Sequence, residues 1–320
     1  MGRVHSKICQ LFLIALLLFS ISSCAHFSAD PDSSEPPSLP KEIEASYAYH
    51  KYQGDYKNKL LSKNSHYTLQ RFTFPSNDNI QSLQHDITID YYAINSAKKV
   101  PIILVLPIFG GANNIASTFA RYFTEHGFAT AIVHRQNRGK YLKQPNQIMR
   151  QMVFDHKQAI DWIESRPELD ASRIGVFGVS MGGIKSALIS ALDRRIATSV
   201  IALAGGDLPY ILTHTDQKSI KKERETILAE KGITVEELQQ ELSKKIECDP
   251  INYAQYIDAS KTLMILAVFD NTVAFHKGVE LKEKIGDPET IYLLSGHYSS
   301  IIYLPYVKYQ SRKFLQKQLQ

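Results

Sequence analysis

The sequence predicts an α/β domain built on a mostly parallel sheet, with antiparallel strands at its start and helices on both faces. Three observations lead there. Near-continuous runs rich in Val, Ile and Leu recur at residues 100–106, 128–133, 173–177, 199–203, 262–269 and 290–294, and strands buried on both faces read this way. Amphipathic stretches at 114–126, 147–166, 181–192, 275–285 and 300–318 fall between and after them. Strand alternating with helix makes a parallel sheet covered on both sides. Ahead of this series, residues 67–74 and 86–94 alternate apolar with polar, as antiparallel strands with one wet face do.

At the start of the chain, Arg3 and Lys7 precede a charge-free apolar run at 11–19, followed by Ile21-Ser22-Ser23-Cys24. A spanning helix needs about 20 apolar residues, so the run reads as the core of a signal peptide over 1–23. Small residues directly before a cysteine resemble a bacterial lipobox. That resemblance implies cleavage ahead of Cys24, acyl chains on that residue, and a domain held to a membrane of the bacterial cell envelope. Two or more acyl chains anchor stably where one is marginal. Ala25 stands where an Asp would retain such a lipoprotein at the inner membrane, which implies the outer one. A plain signal peptide cut elsewhere, or a short membrane anchor, is the alternative. Residues 26–46 hold Pro31, Pro36, Pro37 and Pro40 among Ser, Asp and Glu. Such a composition buries no core, so 24–46 is expected to be a lipidated, extended tether. The folded domain is expected over 47–320, one unit by length.

One segment of that domain breaks the rhythm. Residues 208–256 carry no buried-strand signal and are strongly charged, as in Lys221-Lys222-Glu223-Arg224-Glu225. Thr234 followed three residues later by Glu237 marks a capped helix start. The segment reads as a helical insertion, either a solvated connection or a cap over a site, since connections this long are usually functional or disordered.

Composition excludes some functions. The formal net charge is +5, and removing 1–23 takes away Arg3 and Lys7 and no acid, leaving +3. A small, scattered excess makes no case for nucleic acid. Of the three cysteines, Cys9 leaves with the signal and Cys24 is the lipid site. Only Cys248 remains, so no intramolecular disulfide is expected and Cys248 reads as a structural thiol. No C-x-x-C and no close His pair suggests a metal, and no cofactor is expected.

The chemistry centres on Gly178-Val179-Ser180-Met181-Gly182, which joins the run 173–177 to the helix 181–192. A sharp strand-to-helix turn holds a serine hydroxyl clear of a sheet. Glycines, lacking Cβ, let backbone pass close to a strained residue. A serine hydroxyl also needs a base, and a third group to orient that base. Asp270 follows the run 262–269 and His297 follows the run 290–294. Ligands of open α/β sheets bind outside the carboxyl ends of strands, where all three residues fall. Taken singly, Asp270 reads equally well as a helix cap, and His297 is one of 11 histidines. Residue type, chain order and strand-end placement select them jointly. An oxyanion hole needs two backbone donors. Met181 offers one amide. The loop Pro107-Ile108-Phe109-Gly110-Gly111 offers the other, from Gly111 first or else Phe109.

Residues 155–183, DHKQAIDWIESRPELDASRIGVFGVSMGG, resemble the helix, strand and elbow of the α/β-hydrolase superfamily, in its dienelactone-hydrolase-like and prolyl-oligopeptidase-like branches. The resemblance runs over residues 65–318, extends to Asp270-Asn271-Thr272-Val273 and His297, and is absent from the insertion. It implies the α/β-hydrolase fold and two-step acyl transfer, with Ser180 as nucleophile, His297 as base and Asp270 fixing the imidazole. There are two departures. Phe109-Gly110 stands where the family has His-Gly. Serine stands where dienelactone hydrolases carry cysteine, which sets that particular activity aside. The leading expectation is a carboxylesterase or lipase-like enzyme acting on a small-molecule or lipid ester. A serine peptidase of the same fold is one alternative. A non-catalytic surface lipoprotein that uses the fold for binding is the other, since fold alone proves no function. Arg135 and Arg138 read as a solvated loop pair or as contacts for an acidic substrate. Trp162 and the tyrosines of 298–309 read as packing.

Overall fold

The computed structural model describes residues 25–27, 31, 34–77, 85–108, 114–134 and 141–320. Its strands are β1 (Ala25–Phe27), β2 (Lys57–Lys63), β3 (Thr68–Pro75), β4 (Asp86–Ala93), β5 (Val100–Leu106), β6 (Ala129–Val133), β7 (Leu169–Val179), β8 (Ile196–Ala202), β9 (Thr262–Ala267) and β10 (Glu289–Leu293). Its helices are α1 (Lys41–Ser46), α2 (Asn114–Thr124), α3 (Pro145–Glu164), α4 (Met181–Leu192), α5 (Leu208–His214), α6 (Lys218–Lys231), α7 (Val235–Ser243), α8 (Pro250–Tyr253), α9 (Phe275–Ile285) and α10 (Leu304–Leu319).

All the described strands join one sheet, in the order β1-β10-β9-β8-β7-β5-β6-β4-β3-β2. From β10 to β6 the neighbours are parallel. β4, β3 and β2 continue antiparallel beyond β6, and β1 lies antiparallel on the far edge against β10. The chain leaves β5 for β6 on one side and returns past it to β7 on the other. The strand order reverses there, so the crevice at the carboxyl ends of β5 and β7 is the expected ligand site of such a sheet.

Alternation along the strands sends side chains to two cores. Ile102, Leu104 and Leu106 of β5 join Val153 and Ile160 of α3 and Ile184 and Leu188 of α4. Ile103 and Val105 join Phe119 and Phe123 of α2 and Phe314 and Leu315 of α10 on the other face. Each such side chain, fully buried, contributes about 1.5–3 kcal/mol relative to exposure. A one-residue slip would exchange the two sets, so register is fixed by burial. Trp162 packs in the core between Phe72 and Tyr91, as expected.

The insertion is helical, with α5 to α8 followed by a 3-10 turn at Ala254–Tyr256. Thr234 accepts from the Glu237 amide at 3.2 Å while Glu237 accepts from the Thr234 amide at 2.8 Å, the reciprocal cap that the spacing predicts. Three features differ from expectation. Residues 26–46 are not wholly extended: residues 41–46 form α1, and Leu39 and Ile43 pack against the core and draw this stretch onto the domain. β2 has no apolar alternation because both its faces are exposed, and its lysines suit an edge strand. The last helix begins after a 3-10 turn at Ser299–Tyr303, with a proline in its first turn. The expected signal peptide, Cys24, Arg135 and Arg138 lie outside the described residues.

Candidate active site

β7 runs into α4 through Ser180. The Ser180 backbone has φ 57° and ψ −124°, a left-handed region that costs an L residue about 1–3 kcal/mol unless its surroundings impose it. Here they do. A Cβ on Gly178 would lie 2.0 Å from the Gly182 carbonyl oxygen, and one on Gly182 would lie 2.1 Å from that of Leu106. Only glycine lets β7, the first turn of α4 and the end of β5 come this close. The Ser180 N–H donates to the Ala202 carbonyl at 2.8 Å and pins the turn to β8.

Asp270 follows β9 and His297 follows β10, and the fold brings both to Ser180. His297 Nε2 lies 2.9 Å from Ser180 Oγ, and His297 Nδ1 lies 2.7 Å from Asp270 Oδ2. An ionised carboxylate only accepts. Nδ1 therefore carries the proton, and Nε2 turns its lone pair to the serine hydroxyl. Asp270 is 4% exposed. Its second oxygen accepts the Thr272 and Val273 amides, each at 2.9 Å. The reading of Asp270 as a helix cap gives way here: Ala274 occupies the N-cap of α9, and Asp270 anchors the preceding turn. The Phe269 amide donates to the Ser295 carbonyl at 3.0 Å, joining the loops that carry Asp270 and His297.

Met181 opens α4, so its N–H has no acceptor within the helix and sits on the turn that presents Ser180. Phe109 and Gly111, the alternatives for a second donor, lie outside the described residues. Two contacts near the site escaped sequence reasoning. Lys185, 4% exposed on α4, donates to the Pro107 carbonyl at 3.4 Å and ties the helix to the start of that loop. A lysine among the small and apolar residues of α4 was its only signal. Asp216, from the insertion, accepts the Thr272 hydroxyl beside Asp270. Sequence spacing carries no trace of that pairing.

The sequence profile of the dienelactone hydrolase family matches residues 89–253, just over half of the chain. The chain belongs to the dienelactone hydrolase family. A member of this family need not share its relatives' substrates, and the similar proteins differ among themselves. An Escherichia coli protein described as an uncharacterized 31.7 kDa protein in the traX-finO intergenic region is 30% identical over 133 residues, 41% of this chain and 46% of that one. The match thus spans just under half of that relative's length. The acetyl xylan esterase from Paenibacillus sp. R4 superposes with a TM-score of 0.64 at 19% identity, covering 87% of this chain and 92% of its own. The Pyrococcus horikoshii acylaminoacyl peptidase superposes with a TM-score of 0.56 at 13% identity, covering 78% and 42%. At these identities the likeness is one of fold.

Proposed function

We propose that the chain is a serine hydrolase that cleaves a carboxylic ester through an acyl-enzyme. The observation that carries this reading is the hydrogen-bonded series Ser180–His297–Asp270 at the carboxyl ends of parallel strands. Ser180 Oγ attacks the ester carbonyl while its proton passes to His297 Nε2. Asp270, buried and held by two amides, stabilises the imidazolium. The Met181 amide and a second amide from the loop at 107–111, Gly111 first, hold the oxyanion. Collapse of the tetrahedral adduct expels the alcohol, which takes the proton from His297. Water then adds to the acyl-enzyme with His297 again as base, and the acid leaves. Membership of a hydrolase family and the fold shared with esterases support this reading. Attachment to the bacterial envelope, through acylated Cys24, is a separate part of the proposal and rests on the signal-like sequence alone.

A fluorophosphonate probe should label Ser180 in the wild-type protein and nothing in Ser180→Ala. Ester turnover should fall by about four orders of magnitude or more in that variant. A folded wild-type protein that stays unlabelled and cleaves no p-nitrophenyl ester overturns the reading. For the anchor, Cys24→Ser should move the protein from the membrane to the soluble fraction, and an unchanged membrane fraction overturns that part.

A further inference from the structure

Beside Ser180 a cavity of about 420 Å³ runs between α2 and α10. This is the size of pockets that enclose a whole small-molecule ligand. Its inner wall is Phe119, Ile265, Leu293 and Val307, all buried and all apolar. Polar groups are a minority of the lining, and several are already engaged. The Ser300 hydroxyl bonds to Ser295 and the Gly296 carbonyl. The Thr272 hydroxyl donates to Asp216, and Gln217 Oε1 accepts the Ile220 amide. A hydroxylated group such as a sugar would lose water here and find few partners, which is costly. An acetyl group would leave most of the apolar wall uncovered. At the mouth, Tyr298 and Ile301 line the cavity and are also 64% and 53% exposed. A chain that outgrows the cavity therefore emerges between apolar side chains.

We infer that this cavity is an acyl-chain site and that the ester cleaved at Ser180 carries a medium-to-long aliphatic acyl group. The inference rests on the ester-hydrolase reading. The cavity takes the acyl half rather than the alcohol half because the acyl group stays on Ser180 between the two steps. The alcohol must leave at once, and the buried inner wall gives it no exit.

The test is a series of p-nitrophenyl esters from acetate to dodecanoate, each kept below its micellar concentration, with calorimetric titration of the protein by sodium decanoate. At about 0.8 kcal/mol per buried methylene, kcat/KM should rise roughly tenfold for each two-carbon extension until the cavity is full. Decanoate should bind. Ile115→Trp and Val307→Trp, made separately, should each lower the decanoate-to-acetate ratio of kcat/KM by at least about tenfold, since each indole fills space that the chain would occupy. A series that peaks at acetate, or a ratio unmoved by both variants, overturns the acyl site. Binding of decanoate without turnover of any ester leaves the acyl site standing and overturns the hydrolase reading instead.

Discussion

Ser180 and the pair Asp270–His297 meet at one point but are held there by different means. Ser180 is fixed by backbone alone: its own tight turn, pressed against the end of β5 and pinned to β8. Gly178 and Gly182 admit carbonyl groups where any side chain would collide, and the strain at Ser180 is imposed by those contacts. Asp270 and His297 are fixed by hydrogen bonds, some from the next few residues and some from distant parts of the chain. The Thr272 and Val273 amides, the Phe269–Ser295 link and Asp216 of the insertion all contribute. A device of the first kind fails at once when one atom is added. A device of the second kind weakens by degrees.

Gly182→Ala should show the largest effect. Its new methyl meets the Leu106 carbonyl, which is backbone and cannot turn away, so a loss of about 4 kcal/mol or more is expected. Thermal unfolding measures it, and a stable, fully active Gly182→Ala breaks the comparison. Asp270→Asn should leave the fold in place and lower kcat by about four orders of magnitude, because an amide presents the wrong group to one of its partners. Steady-state kinetics beside a circular dichroism spectrum would check this, and a loss below tenfold would remove Asp270 from the chemistry.

The third prediction concerns pH. His156 lies buried on α3, and burial, aided by the neighbouring Lys185 charge, pushes its imidazole down to about 4. Unfolded, it titrates near its ordinary value of 6.5. The unfolded chain thus binds the extra proton first, and stability is lost as pH falls from 6.5 towards 4, by at most about 3 kcal/mol. His156→Gln should narrow that loss in denaturant unfolding followed across this window, and an identical dependence in both proteins refutes it. Smallest is Thr272→Val, which removes the donor to Asp216 but keeps the Thr272 amide on Asp270. About 1 kcal/mol of stability should go, with only a few-fold change in kcat/KM. A complete loss of activity would show that the insertion, rather than the amide pair, holds the acid.

The same division explains what could be read from the chain. The elbow is local, so the run 173–177, the spaced glycines and the start of α4 at Met181 were all legible. Asp270 and His297 were legible as strand-end residues because β9 and β10 are buried on both faces and leave an apolar signature. Their contacts were not. Asp216 and Thr272 are paired only by the path of the insertion, which no periodicity encodes. β2 is exposed along its whole length, does not alternate apolar with polar, and gives no strand signal. The cavity depends on how far apart α2 and α10 settle, a property of two helices that are neighbours in the fold but far apart in sequence.

The order of the chain also sets an order in time. A domain generally folds as a unit, and synthesis delivers it from its N-terminal end. β5, β7 and α4, which make the elbow, emerge well before β9 and β10. Until they do, Ser180 has neither His297 nor Asp270, and a serine without a base is a poor nucleophile. The unfinished chain therefore carries a disarmed hydroxyl, and the last strand to be synthesised delivers the residue that arms it.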